Sequence, residues 1–408
     1  MSLGHGASIV RNGLVFHYDM GNSQKSWRGA PTSNRIFTAP LALLTYAYAT
    51  GPVQTTVSDA TFTSRAVNRY TISTAVNVAR AAIFPPGGSL ALSTPYAFSC
   101  IWKYNGTNTS APSLVIDASK GNPETSGGNT FSAFTQTNIA LGNGWTYSKL
   151  EFTLATSPTL GAYLTYGIST GSDSTYINNT FDVYNEQFEQ NLYATPFVAG
   201  TRSDIQALLD LTGTNTVTAS SLTYNSNGNF AFSGVGGVGV DGNYISCGNG
   251  SAINFGTGNF TLSFISYRTA DGYQSGSYVS KGNGTSIGFD FRDASFYIYG
   301  STGLIASMIF NQTYNIWQHH VFVFDRMSSP YIKYYLNGVY TSSSDTNNSG
   351  NISATIDTSR NLDIGRSQAG GVNRYFNGNM PTVKLYNRAL SATEVRQNFE
   401  ALRGRYGI

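Results

Sequence analysis

Two neighbouring stretches, WQHHVFVFD (residues 317–325) and YIKYYLNGVY (331–340), decide how the chain is read. In an extended strand successive side chains point to opposite faces. Trp317, His319, Val321 and Val323 therefore share one face of the first stretch, and Gln318, His320, Phe322 and Phe324 share the other. In the second stretch, Asn337-Gly338 interrupts alternating apolar residues. A type I′ turn needs positive φ at both central positions, which Asn and Gly tolerate, so the pair predicts a two-residue hairpin. The same period appears in GNFTLSFISY (258–267), which puts Phe260, Leu262 and Phe264 together, and in YAFSCIWKY (96–104), which puts Phe98, Cys100 and Trp102 together. NGLVFHYDM (12–20), WTYSKLEFTL (145–154), AYLTYGI (162–168), FDVYNEQFEQ (181–190), LDIG (362–365) and TVKLY (382–386) also read as strands. Many short strands separated by Gly and Asn turns indicate β-sandwiches rather than an α/β fold. One helix is expected at about 392–402. Ser391 would cap it, with Glu394 completing a capping box and Leu390 and Val395 a hydrophobic staple. Its stripe of Val395, Phe399 and Leu402 would cover an edge or an open end of the second sandwich.

The composition agrees with an all-β protein. The chain has 408 residues, enough for two or three domains. Only 11% are charged, against roughly 25% in an average soluble domain. The surface is therefore built from hydroxyls and amides, and the 27 Tyr and 24 Phe favour strands. A net charge of +3 with no basic stripe gives nucleic-acid binding no electrostatic support. Low charge also suits a subunit of a larger assembly, or a secreted binding module. No run approaches the roughly 18 apolar residues of a membrane-spanning helix. MSLGHGASIVRNGLVF lacks the uninterrupted apolar core of a secretory signal, so export by that route is not expected. Cys100 and Cys247 lie in separate strand-like runs and read as two buried free thiols.

The pieces FSGVGGVGVDGNYISCGNG (232–250), NFTLSFISYR (259–268), WQHHVFVFDR (317–326), IKYYLNGVY (332–340) and LDIGRSQAGGVNRYFNGNMPTVKLYNRALSATEVRQNF (362–399) occur in an order that resembles the laminin-G-like, concanavalin A-like jelly-roll family of bacteriophage virion structural proteins. That family begins with a strand like GLVFHYDMGN (13–22), followed closely by a turn like LLDLTGTN, which here starts only at Leu208. The resemblance implies a discontinuous laminin-G-like domain of residues 1–27 plus 204–408. Residues 31–202, ending in FDVYNEQFEQNLYATPFVAGTR, resemble an inserted carbohydrate-binding-module-like jelly roll. A tandem arrangement with strand 13–20 in the first domain is the alternative. The family further implies a non-catalytic virion protein, on the capsid exterior or in a tail or fibre. It would contact other virion proteins and itself, the trimer being common in phage appendages. A carbohydrate-binding adhesin for host surface glycans is the second reading, and a glycoside hydrolase or depolymerase the third.

The chemistry-bearing residues favour no enzyme. Concanavalin-like hydrolases need two carboxylates on one strand facing one cleft. The nearest pair, Glu186 and Glu189, is three apart and points to opposite faces, so one of them suits a solvated or cap-like carboxylate rather than a catalyst. His319 and His320 also oppose each other and cannot share a metal, and His5 and His17 lack a ligand at metal spacing. GVGGVG (234–239) opens no helix, so no dinucleotide site is expected. No cofactor and no catalytic or metal-ligating residue is assigned. Calcium at a rim stays open on the resemblance, with Asp241, Asp290, Asp325 and Asp363 scattered and Asp241 equally suited to an Asx turn. Trp102 and Trp145 read as core, Trp27 as exposed or as a clasp between domains, and no aromatic stands out as a sugar platform.

Overall fold

The computed structural model describes residues 8–22, 25–34, 53–72, 78–83, 93–107, 114–119, 131–154, 163–169, 174–220, 222–224, 230–235, 242–271, 276–282, 287–292, 294–310, 312–344, 351–367 and 373–408. The chain forms two compact units, Met1–Ala30 with Ser203–Ile408, and Pro31–Arg202. Both are built from antiparallel sheets, in a mostly-β jelly-roll architecture.

In the first unit the larger sheet has the order Thr223–Tyr224, Phe230–Ser233, Asn377–Tyr386, Phe260–Arg268, Trp317–Phe324, Ile332–Leu336 and Val339–Ser344. The strand Leu14–Asp19 also pairs with Asn377–Tyr386, His17 lying opposite Lys384. Smaller sheets of four and three strands supply the second layer, and the bridge between Lys281 and Phe289 connects them. The alternation of WQHHVFVF sorts its side chains between two cores. Phe322 and Phe324 enter the main core with Phe16, Leu262, Phe264, Phe291 and Ile298. Val321 and Val323 join Tyr335, Tyr386, Leu390 and Val395 on the opposite face.

That opposite face is closed by the helix Ala392–Tyr406. Ser391 Oγ accepts from the Glu394 N–H, and the Glu394 carboxylate accepts from the Ser391 N–H, so the capping box is formed. The helix therefore covers a face of the large sheet, correcting the expectation of an edge or open end. The cause is that the sheet's central strands are buried on both sides. It also runs one turn past residue 402, until Gly407 adopts φ 67° in the left-handed region and ends it. The hairpin forms as read, with φ 50° at Asn337 and 74° at Gly338.

The N-terminal strand is fastened by the turn Leu208–Asn215. Asp210 Oδ1 accepts from the His17 and Thr212 N–H groups, and Oδ2 accepts from Thr212 Oγ1 and from both the backbone and side-chain N–H of Asn215. The N–H of Leu211 returns a bond to the His17 carbonyl at 2.6 Å. Trp27 forms a bridge with Leu208 and is buried in the main core rather than exposed.

The second unit has a six-stranded sheet ordered Val53–Asp59, Phe62–Thr71, Thr180–Glu189, Pro95–Tyr104, Trp145–Leu154 and Phe131–Gly142. A three-stranded sheet contains Val78–Ile83, Tyr163–Ser169 and Leu114–Ser119. Phe98, Cys100 and Trp102 share its core with Tyr96, Phe152, Phe181 and Phe188. The ends of this unit pair with each other, Thr32 opposite Arg202 and Ser33 opposite Thr201. Cys100 and Cys247 are free and buried in separate units.

Two predictions follow from the first unit. Asp210→Ala leaves several donors beside a buried strand without an acceptor, and should cost about 2–4 kcal/mol in urea unfolding. An unchanged midpoint would remove Asp210 as the fastener. The second concerns acid. Burial lowers the pKa values of His17, His319 and His320, the last to about 3, and the Lys384 ammonium lowers the first two further. Above about pH 8 all three are uncharged in the folded and unfolded chains and contribute no pH dependence. As pH falls through 6.5 the unfolded chain takes up protons that the folded chain refuses, so stability declines. Each histidine adds a slope of about 1.4 kcal/mol per pH unit. His320→Phe should therefore flatten the decline by about one proton relative to the wild type. Urea titrations across this range measure the difference, and equal slopes would contradict the assignment.

Candidate functional site

The strands Phe260–Arg268, Trp317–Phe324 and Asn377–Tyr386 end together at one rim of the first unit, with Tyr267 opposite Trp317 and Arg268 opposite Gly378. Here the last strand carries an irregularity between its pairings with Ile265 and Tyr267, next to Pro381. Proline has no N–H for the ladder, and a bulge is where a sheet accommodates it. Gly378 sits at φ 136°, and a Cβ there would lie 2.1 Å from the Tyr267 carbonyl oxygen, so no other residue fits. This close approach lets Thr269 bind Asn377 through backbone (3.2 Å) and side chain (2.8 Å).

The loop entering Trp317 is fixed by Asn315, which takes φ 60° and donates its N–H to the Arg268 carbonyl at 2.7 Å. That contact brings Tyr314 over Arg268, whose guanidinium carbon lies 5.3 Å from the Tyr314 ring centre and 5.6 Å from that of Tyr278. The Arg268 side chain is only 2% exposed. It donates through Nε to the Ala270 carbonyl (3.2 Å), through Nη1 to Tyr278 Oη (3.3 Å) and Gln312 Oε1, and through Nη2 to Asp271 Oδ1 (2.7 Å). Asp271 is 69% exposed, and its Oδ1 also accepts from Tyr314 Oη at 2.7 Å. That hydrogen bond holds the Tyr314 phenol above its ordinary pKa. Burial pushes the Tyr278 phenol up to about 12, with Arg268 opposing part of the rise. Beside them Trp317 lies between Tyr267 and Tyr406, each ring centre 5.2 Å away. The rim thus offers a half-open phenol ring, an exposed carboxylate and amides, held by a buried cation.

The residues singled out in the sequence lie elsewhere. Glu186 and Glu189 are both buried, which corrects the reading of one of them as a solvated or cap-like group. Glu186 accepts from Asn68 (2.7 Å) and Tyr70 (3.3 Å), and Glu189 from the Thr195 N–H (2.7 Å), Thr195 Oγ1 (2.8 Å) and Gln187 (2.8 Å). A register shift between Tyr184 and Gln187 lets Asn34 insert, receiving the Phe188 N–H and donating to the Glu186 carbonyl. Both acids therefore secure the structure around their strand. His319 is buried against Ser263 Oγ (2.9 Å) and Phe399, and His320 against Tyr334 Oη (2.9 Å) and Phe264, on opposite faces of the sheet. His17 is buried beside Thr382.

Asp290 is buried near Ser277, Asp325 receives Asn259 and the Met327 N–H, and Asp363 pairs with Arg366. Among the described residues no three His, Cys, Asp or Glu side chains are grouped to hold a metal ion. His5, Asp241 and most of GVGGVG lie outside the described residues. Trp102 and Trp145 are in the core of the second unit. No helix among the described residues is long and apolar enough to cross a membrane. Sequence reading passed over Arg268, Asp271 and Tyr314. The available signal was a charged residue closing an apolar strand, in a chain with few charges.

Comparison with known proteins places this rim within a recognised region. A laminin-G model, described as the concanavalin A-like lectin/glucanases superfamily, matches residues 238–396. Curated protein sequences contain no match to the chain. Among solved structures, the binding domain of Paraclostridial Mosquitocidal Protein 1 aligns at 17% identity and a TM-score of 0.34, covering 47% of this chain and 49% of that one. Botulinum neurotoxin type C, whose cell entry depends on interaction with two ganglioside molecules, aligns at 13% identity and a TM-score of 0.37, covering 48% and 49%. Domain 4 of AbnA, a GH43 extracellular arabinanase from Geobacillus stearothermophilus, in complex with arabinotriose, aligns at 14% identity and a TM-score of 0.33, covering 47% and 91%. The aligned part spans about half the length of the two toxin chains.

Proposed function

We propose that the protein is a non-catalytic, lectin-like glycan-binding protein, and that the rim of Asp271, Tyr314 and Trp317 is its recognition surface. The observation that carries this reading is the exposed Tyr314 ring, fixed by its hydroxyl to a carboxylate that is itself open to solvent. A phenol ring can pack on the apolar face of a pyranose while a carboxylate and amides receive or supply the hydroxyl hydrogen bonds. The lectin/glucanase model spans all of these residues, which supports the class of ligand. Hydrolysis would need a second carboxylate across a cleft, and Glu186 and Glu189 are both committed to buried donors. A bacteriophage virion setting, on a capsid exterior or in a tail, is a further part of this proposal that rests on the sequence resemblance alone. An adhesin carried on a particle would serve both roles, and immunogold labelling of intact particles would locate it.

The binding test is direct. Purified protein should be retained on a subset of an immobilised polysaccharide array, without releasing reducing sugar. Tyr314→Ala should weaken that binding by about tenfold, on the order of 1.4 kcal/mol. Its melting temperature should stay close to wild type, because Tyr314 is 40% exposed. An array with no binder overturns the reading, and sugar release overturns its non-catalytic part.

A further inference from the structure

We infer that Asp271 is a built-in anion occupying the seat formed by Arg268, and that it tunes the rim to neutral, hydroxyl-bearing sugars and away from acidic ones. This rests on the glycan-binding reading and adds the ligand's charge class. A guanidinium recognises a carboxylate, sulfate or phosphate by presenting two parallel N–H groups. Arg268 has no such fork to offer. Its Nε, Nη1 and Nη2 donate to Ala270, Tyr278, Gln312 and Asp271, and Tyr278 and Tyr314 lie near it as rings. The side chain is buried, and Asp271 stands between its Nη2 and solvent.

Asp271 faces outward with different chemistry. Its Oδ1 is shared by Arg268 and Tyr314, while Oδ2 takes no hydrogen bond among the described residues. A carboxylate only accepts, so its open oxygen suits the O–H donors of a neutral sugar. An acidic sugar would meet this negative charge first and find the cation behind it already paired.

Removing the charge should reverse the preference. Asp271→Ala uncovers Nη2 and leaves a buried cation without its counter-ion, a state that an external anion relieves. Asp271→Asn keeps an oxygen for Nη2 but drops the charge, and serves where the alanine variant folds poorly. The probes are lactose and 3′-sialyllactose, compared by calorimetry, and sulfate, compared with chloride at equal ionic strength by thermal unfolding. Wild type should bind lactose at least about tenfold more tightly than 3′-sialyllactose. Asp271→Ala should lose that preference and gain a stabilisation by sulfate that wild type lacks, with Asp271→Asn between them. Wild-type binding of both sugars alike overturns the inference and leaves the glycan reading standing. So does a folded Asp271→Ala protein that gains neither 3′-sialyllactose binding nor a sulfate effect. Sulfate stabilising Asp271→Ala while no array glycan binds any variant overturns the glycan reading and the neutral-sugar preference together, and supports the anion seat alone.

Discussion

The carboxylate of Asp210 is the point on which the first unit depends. It receives the N–H of His17 from one end of the chain and closes its own turn through Thr212 and Asn215. One acceptor group therefore fixes both the turn and the strand it leans on, across 193 residues of sequence. That strand lies against Asn377–Tyr386, so the first and last strands among the described residues are neighbours in one sheet. Once they are, Asp19 can meet Arg405 of the closing helix, and the Val10 N–H can donate to Asn398. A loop closure this long is entropically costly, and many satisfied donors on one buried group are a compact way to offset it.

A second constraint follows from covering both faces of the large sheet. A sheet packed on one side can leave its polar residues in water, but this one has to satisfy them internally. His17, His319 and Lys384 all lie buried on the helix side. They are kept there by hydroxyls, with Thr382 between His17 and Lys384, and Ser263 on His319. Burial lowers the Lys384 pKa to about 8, with Asp19 opposing the shift and Arg405 adding to it. The charge-poor composition has the same physical root, because each buried charge must be paired or hydrogen-bonded, and hydroxyls serve at lower desolvation cost.

The elements legible in the sequence are those set by local chemistry. Asn337-Gly338 reads as a hairpin because few other residue pairs accept those dihedrals, and Ser391 with Glu394 reads as a helix start because the capping box is a four-residue event. The alternation at 317–324 also names which side chains oppose each other. It does not say that both faces are covered, which is why the helix was assigned to an edge. The burial of Glu186 is illegible for a related reason, since Asn68 and Tyr70 reach its carboxylate across 118 and 116 residues of sequence, while Glu189 is met by Thr195 from the turn that follows its strand. The rim was illegible because its parts are non-local. Arg268 and Gln312 are 44 residues apart and meet only through the register that sets Tyr267 opposite Trp317.

The extra helical turn ties these levels together. Residues 403–406 continue the helix until Gly407 can adopt the left-handed conformation that stops it. That turn delivers Tyr406 onto Trp317, and Arg405 onto Asp19. Trp317 is then flanked by Tyr267 on its own sheet and Tyr406 on the helix, so its orientation is set by two packed elements rather than by a loop. Preorganised aromatic surfaces lose less entropy on binding than mobile ones. The same helix that seals the sheet therefore also steadies the edge of the rim, and the stability of one cannot be altered without touching the geometry of the other.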